Sequence, residues 1–228
     1  MGQFLDGMTL GQIQQEVVTL TKEPQPGNPV YATLANVTSF ANEAQVKINS
    51  KCKCRIASNI PNNINSDPAL MTVAGQRLYP LPADFMGIFL LSVNRIRMRP
   101  ARLDEFARNV QWWRLPGFPR VYYFERNPND NTYNFGLWLQ PADTWPIGLS
   151  YLVQPLAMAN VGDSPDLDVR LHPAIVHYVC EQVMKTRREF EKAAIWQQAY
   201  QVDLAEYMAS GQDVEEPMEF LSVPVPSD

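Results

Sequence analysis

Gly75-Gln76-Arg77-Leu78-Tyr79-Pro80-Leu81-Pro82-Ala83-Asp84-Phe85-Met86-Gly87-Ile88 is the stretch in which this chain changes period. Before it, apolar residues return every three or four positions, as on one face of a helix. After it they come in short runs cut by Gly, Pro and Asn, as in strands. Within it, Leu78 and Tyr79 read as the end of a strand, and Pro80 and Pro82 withhold backbone donors from any ladder. Ala83-Asp84-Phe85 then turns the chain into the apolar run from Ile88 to Val93. The stretch is an entrance to a β region, and no bond-making chemistry is expected there.

Working back towards the N-terminus, Thr9 and Gln12 have capping-box spacing, and Leu10, Ile13, Val17 and Leu20 follow on one face, which predicts a helix from Leu10 to Lys22. Pro24, Pro26, Gly27 and Pro29 stop it. Tyr31, Leu34, Val37, Ala41, Ala44, Ile48 and Cys52 predict a second helix from about Val30 to Arg55. Asn, Ser and Pro between Ile60 and Pro68 place a boundary near Asn65.

From Leu70 onward, strands are expected at Leu70–Val73, Arg77–Tyr79, Ile88–Arg97, Val121–Glu125, Phe135–Gln140 and Leu149–Gln154, the last three paired sequentially, with a hairpin loop at 127–131 and a helical turn around Asp104 to Asn109. Helix returns at Pro173 as one long or two consecutive helices running to Ala209, with the bend at Lys185–Glu189, and Gly211 closes it. The fold class is therefore α+β: a helical bundle drawn from both chain ends, an inserted small antiparallel β-sandwich or barrel, and an extended C-terminal tail. The expected segments are helices over 1–65, the β domain over 66–157, C-terminal helices over 158–210 and a docking tail over 211–228.

Composition narrows the function. A chain that is 46% hydrophobic and 11% aromatic has ample material for a core, and no run is long enough to cross a bilayer. No basic, apolar leader opens it, and Asp6 spoils a myristoylation signal, so an intracellular product without a membrane role is expected. The three cysteines, Cys52, Cys54 and Cys180, lack the spacing of a zinc site, and His172 and His177 lack a third ligand. Asp163, Asp166 and Asp168 lack the glycine and glutamate of a calcium loop. No serine sits in a Gly-x-Ser-x-Gly setting and no glycine loop could cradle phosphate. Catalytic, cofactor and metal residues are thus expected to be none, and the chain is expected not to be an enzyme.

Two features remain. The net charge of −5 hides a basic centre holding Arg95, Arg97, Arg99, Arg102, Arg108, Arg114, Arg120 and Arg126 among Trp112, Trp113, Tyr122 and Tyr123. Guanidinium groups and aromatics suit a nucleic-acid surface, but they also dominate protein interfaces, and an acidic chain is a poor candidate for coating nucleic acid. Arg95, Arg97, Arg99, Arg102, Trp112, Trp113, Arg114 and Tyr122 are accordingly read as an interface to other subunits or proteins. The end of the chain combines Asp213, Glu215, Glu216 and Glu219 with Val214, Met218, Phe220, Leu221, Val223 and Val225. Such a segment cannot bury itself and gains order on a partner.

The order of parts, with Leu78-Tyr79-Pro80-Leu81-Pro82-Ala83-Asp84-Phe85, Gly117-Phe118-Pro119-Arg120-Val121-Tyr122, Leu137-Trp138-Leu139-Gln140-Pro141 and Leu149-Ser150-Tyr151-Leu152-Val153-Gln154-Pro155, resembles the head-to-tail adaptor of short-tailed bacteriophages, tail tubular protein A type. The resemblance implies a structural protein made in the host cytoplasm and placed in the virion at the head–tail junction. It implies a homo-oligomeric, twelvefold ring beneath the portal protein, continuing the channel through which DNA passes without sequence-specific binding. It also implies a platform for the nozzle or tail tube and tail fibre proteins, with residues 211–228 docking on the portal. The other readings are a different head-completion or tail ring protein, and a nucleic-acid-binding module using the central arginines.

Overall fold

The computed structural model describes residues 7–23, 29–58, 70–102, 115–126 and 133–211. Two compact units emerge, Met1–Cys54 with Leu156–Asp228 and Arg55–Pro155.

The first unit is helical. Helix α1 (Leu10–Thr21) starts with a reciprocal cap in which the Thr9 hydroxyl accepts from the Gln12 N–H and the Gln12 side chain accepts from the Thr9 N–H. Helix α2 (Leu34–Cys52) is capped by Thr33 and stops where Lys53 turns left-handed at φ 52°, short of the expected Arg55. Helix α3 (His172–Thr186) has Pro173 in its first turn, where the missing donor costs nothing. Of the two expected forms the structure has two consecutive helices, parted at the expected Lys185–Glu189 segment: Arg188 is left-handed at φ 62° and helix α4 (Phe190–Gly211) begins two residues later.

Leu10, Ile13, Ile48, Leu171, Ile175 and Leu204 are almost wholly buried in one core fed by both chain ends, each such side chain contributing about 1.5–3 kcal/mol through burial. Asn42 holds the loop ahead of α3 by donating to the Met158 carbonyl and accepting from its N–H, at 2.9 and 2.8 Å.

The described residues of the second unit form ten strands: β1 (Ile56–Ser58), β2 (Leu78–Pro80), β3 (Phe85–Val93), β4 (Ile96–Arg97), β5 (Arg99–Pro100), β6 (Pro116–Gly117), β7 (Val121–Arg126), β8 (Tyr133–Trp138), β9 (Gln140–Pro141) and β10 (Ile147–Val153). They form sheets in the orders β1-β10-β3-β4 and β2-β8-β7-β5, with a small β6-β9 pair. Leu91, Val93, Ile147 and Leu149 from the first sheet and Tyr79, Phe135 and Leu137 from the second fill the core, Tyr79 stacking on Phe135 at 5.3 Å. Gly136 opposes Tyr123 across β7 and β8, and a Cβ there would lie 2.1 Å from the tyrosine ring.

Several sequence expectations need correction. The strand expected over Ile88–Arg97 is a hairpin, reversing at Asn94 and Arg95. The strand expected over Leu70–Val73 is a single bridge, Met71 to Pro146, and that over Phe135–Gln140 is two, β8 and β9. Of the three strands expected to pair in sequence, β7 pairs with β8, but β10 pairs with β1 and β3; β2 lies beside β8, and β5 joins β7 and β6 joins β9 in parallel. Apolar period identifies a strand and its buried face; it does not choose a partner distant in sequence. The expected loop at 127–131, the turn at Asp104–Asn109 and the boundary near Asn65 lie outside the described residues.

Candidate functional site

The site grows from the hairpin. Asn94 and Arg95 have φ of 49° and 65°, and Val93 pairs with Ile96 on either side of them, the pattern of a two-residue turn that favours Asn followed by Gly. Arginine in the glycine position costs about 1 kcal/mol of backbone strain, yet its side chain stands exposed. Met98, buried at 3% exposure, then carries the chain from one sheet to the other: its N–H donates to the Leu91 carbonyl at 2.8 Å, and Arg99 and Pro100 take up register with Val121 and Tyr122. Between the two sheets this crossing leaves a cleft of about 530 Å³, lined by Ile88 to Leu91, Arg97 to Pro100, and Tyr122. Its apolar wall includes Phe89, 44% exposed.

The charge of the cleft is one-sided. Residues 55–155 hold ten arginines, no lysine and seven carboxylates, net +3, whereas the remaining residues hold nine cations and seventeen carboxylates, net −8. Arg77 pairs with Glu125 at 3.1 Å. Arg95, Arg97, Arg99, Arg120 and Arg126 are all exposed, and none has a carboxylate partner among the described residues. Burial pushes the Tyr122 hydroxyl up, and the Arg97 charge beside it opposes that shift.

Of the residues that the sequence marks as an interface, the structure brings Arg97, Arg99 and Tyr122 to the cleft, with Arg95 at the hairpin tip and Arg102 exposed beyond β5. Tyr122 is only 8% exposed, so it is wall and not rim. Trp112, Trp113 and Arg114 lie outside the described residues, as do Val214, Met218, Phe220, Leu221, Val223 and Val225. Sequence reading missed the contribution of Ile88 and Phe89, which look like core in an apolar run. The signal that could have found them is Asn94, a residue at ease in the left-handed region, which ends that run in a reversal.

The polar groups elsewhere have structural tasks. His172 is buried and accepts the Met8 N–H on Nδ1 at 2.9 Å, and burial lowers its pKa below the usual 6.5. His177 Nδ1 lies 2.6 Å from Asp203 Oδ2 and its ring stacks on Trp196. Asp163 accepts the Ala159 and Asn160 N–H groups, Asp166 accepts from Leu156, and Asp168 accepts from Arg170, so the three carboxylates serve three separate turns. Burial pushes the Cys180 thiol up to about 12 and raises that of Cys52. Among the described residues no group of three His, Cys, Asp or Glu could hold a metal ion, and no helix is long and apolar enough to cross a membrane.

The α+β chain thus carries, in its β unit, a cleft whose Arg97 and Arg99 have no carboxylate partner among the described residues. The chain belongs to the SU10 adaptor protein family, whose family model matches residues 8–220 and thus spans both units. This is a family of structural phage head–tail adaptors. No curated protein matches the chain.

Proposed function

We propose that this adaptor forms a ring of the tail tubular protein A type beneath the phage portal. The ring continues the DNA channel without reading sequence, and it offers the platform on which the nozzle or tail tube and tail fibre proteins assemble, at the head–tail junction of the virion. The observation that carries the reading is the family match over residues 8–220, because it takes in the helical unit and the β unit together. Twelve copies is the number implied by the sequence resemblance.

In this reading the helical unit is the body of the ring. The β unit, with Arg95, Arg97, Arg99, Arg102, Trp112, Trp113, Arg114 and Tyr122, faces neighbouring subunits or tail proteins. Residues 211–228 dock on the portal through Val214, Met218, Phe220, Leu221, Val223 and Val225. Arg95, Arg97 and Arg99 of this set are exposed and have no carboxylate partner among the described residues, which supports contact with carboxylates supplied by another chain.

Electron microscopy of the purified chain mixed with portal tests the reading. A closed ring seated on the portal is expected, and truncation after Ser210 is expected to weaken attachment while leaving the fold intact. Attachment that is unaltered by the truncation would remove the tail from the account.

A further inference from the structure

We propose that the cleft between β3, β5 and β7 receives the acidic C-terminal segment of a second copy of this chain. The inference rests on the ring reading and adds a partner for the arginine face.

The cleft specifies its ligand by two kinds of surface. Ile88 and Leu90 offer an apolar wall, and Arg97 and Arg99 line the same cleft with no carboxylate partner among the described residues. A ligand that satisfies both interleaves carboxylates with apolar groups along an extended backbone. A phosphate backbone satisfies only the arginines and makes no use of the apolar wall. Asp213-Val214-Glu215-Glu216-Pro217-Met218-Glu219-Phe220-Leu221 is such a ligand: four carboxylates and four large apolar side chains in nine residues, in a chain with no Lys or Arg after Lys192. Pro217 has no N–H to lose, which suits an extended ligand.

In a ring every subunit gives one segment and receives one, a head-to-tail contact that closes on itself. The same residues are proposed to dock on the portal, so the cleft holds them only in chains that have not met the portal. Portal binding and cleft binding compete, and the basic face is freed for tail proteins as the ring is seated.

Charge exchange in full-length chains tests this directly. One chain carries Glu215→Lys and Glu216→Lys, so that its own end no longer competes for its own cleft; the other carries Arg97→Glu and Arg99→Glu. Each is titrated with two fluorescent peptides of residues 212–228, one of native sequence and one with Glu215→Lys and Glu216→Lys, and anisotropy is read. The first chain is expected to bind the native peptide about tenfold more tightly than the reversed one, and the second chain to show the opposite preference, both weakening as salt rises. Circular dichroism and urea midpoints matching those of the native chain are required of both variants, so that the exchange separates recognition from loss of structure.

Binding of neither peptide, or equal preference in the two chains, overturns the inference. So does a first chain that ignores peptide and instead binds duplex DNA through the same two arginines, because the cleft is then a polyanion site. Ring formation with portal is measured on the same two chains. Rings without peptide binding sink the inference and leave the ring reading standing, whereas absence of rings with native chain and portal sinks the ring reading itself.

Discussion

Arg187 in the helical unit donates to the Thr21 carbonyl at 2.8 Å and to the Glu189 carboxylate at 2.7 Å, while Arg97 and Arg99 in the β unit have no carboxylate partner among the described residues. The same contrast runs through the charged pairs of the two regions. Lys47 with Glu43, Arg170 with Asp168, Lys185 with Glu181 and Lys192 with Glu189 neutralise one another within the helical unit, against the one described pair, Arg77 with Glu125, in the β unit. Arg187 stitches structure in the first region, whereas Arg97 and Arg99 in the second have no carboxylate partner among the described residues. A guanidinium whose donors are filled by its own chain has little left for a partner, whereas one left in water keeps its full capacity for an interface.

The largest expected effect is on the packing that underlies both regions. Ile175→Ala removes a fully buried side chain from the helical core and should lower stability by about 2–5 kcal/mol in urea denaturation. Next comes the stitched arginine. Its guanidinium ties the end of α1 to the break between α3 and α4, so Arg187→Ala should cost about 1.5–3 kcal/mol, an amount that a solvated arginine could not account for.

Acid should find the helical unit before the β unit. Burial lowers the folded-state pKa of His172, so the unfolded chain binds its proton more tightly and stability falls as pH drops below about 6.5; protonation also removes the lone pair that accepts the Met8 N–H. Lower still, Glu43, held below its usual pKa by the Lys47 hydrogen bond, and Asp168, held down by Arg170, add losses as pH falls through 4.5 and 3.8. In the β unit burial pushes the Tyr123 hydroxyl up to about 12, so its contribution is lost on the alkaline side, as pH rises above 10. Urea midpoints followed by circular dichroism across pH check the acid limb, and His172→Gln should flatten the portion between pH 7 and 5.

The smallest effects belong to the exposed arginines that have no carboxylate partner among the described residues. Arg97→Ala and Arg120→Ala should each leave stability within about 0.5 kcal/mol of the native chain. Arg95→Gly should raise it by about 0.4–1 kcal/mol, because glycine accepts φ of 65° without strain. A substantial loss from either alanine change would erase the distinction between stitched and reserved arginines.

Much of this was legible in the residues. Thr9 and Gln12, the step of Leu10, Ile13 and Val17, and Pro173 mark helix faces and ends by local rules, and the structure follows them within a residue or two. The cleft was half legible. Arg97 and Arg99 stand out by composition, but the wall they share with Ile88 and Phe89 exists only because Asn94 and Arg95 reverse the chain and Met98 carries it to the other sheet, where β5 meets β7 in parallel. Those pairings are long-range choices, decided by which surfaces fit, and no spacing along the chain records them. The role of Arg187 was hidden for the same reason, since its acceptor Thr21 is 166 residues away.

The central claim, that the chain is an assembling adaptor and not a free nucleic-acid binder, is tested most directly by mass photometry of the full chain with portal at physiological salt. The account predicts a discrete species at portal plus about twelve 25.9 kDa chains, unchanged by added duplex DNA. A chain that stays monomeric in the presence of portal and binds duplex DNA tightly, with an affinity that falls steeply as salt rises, would contradict it.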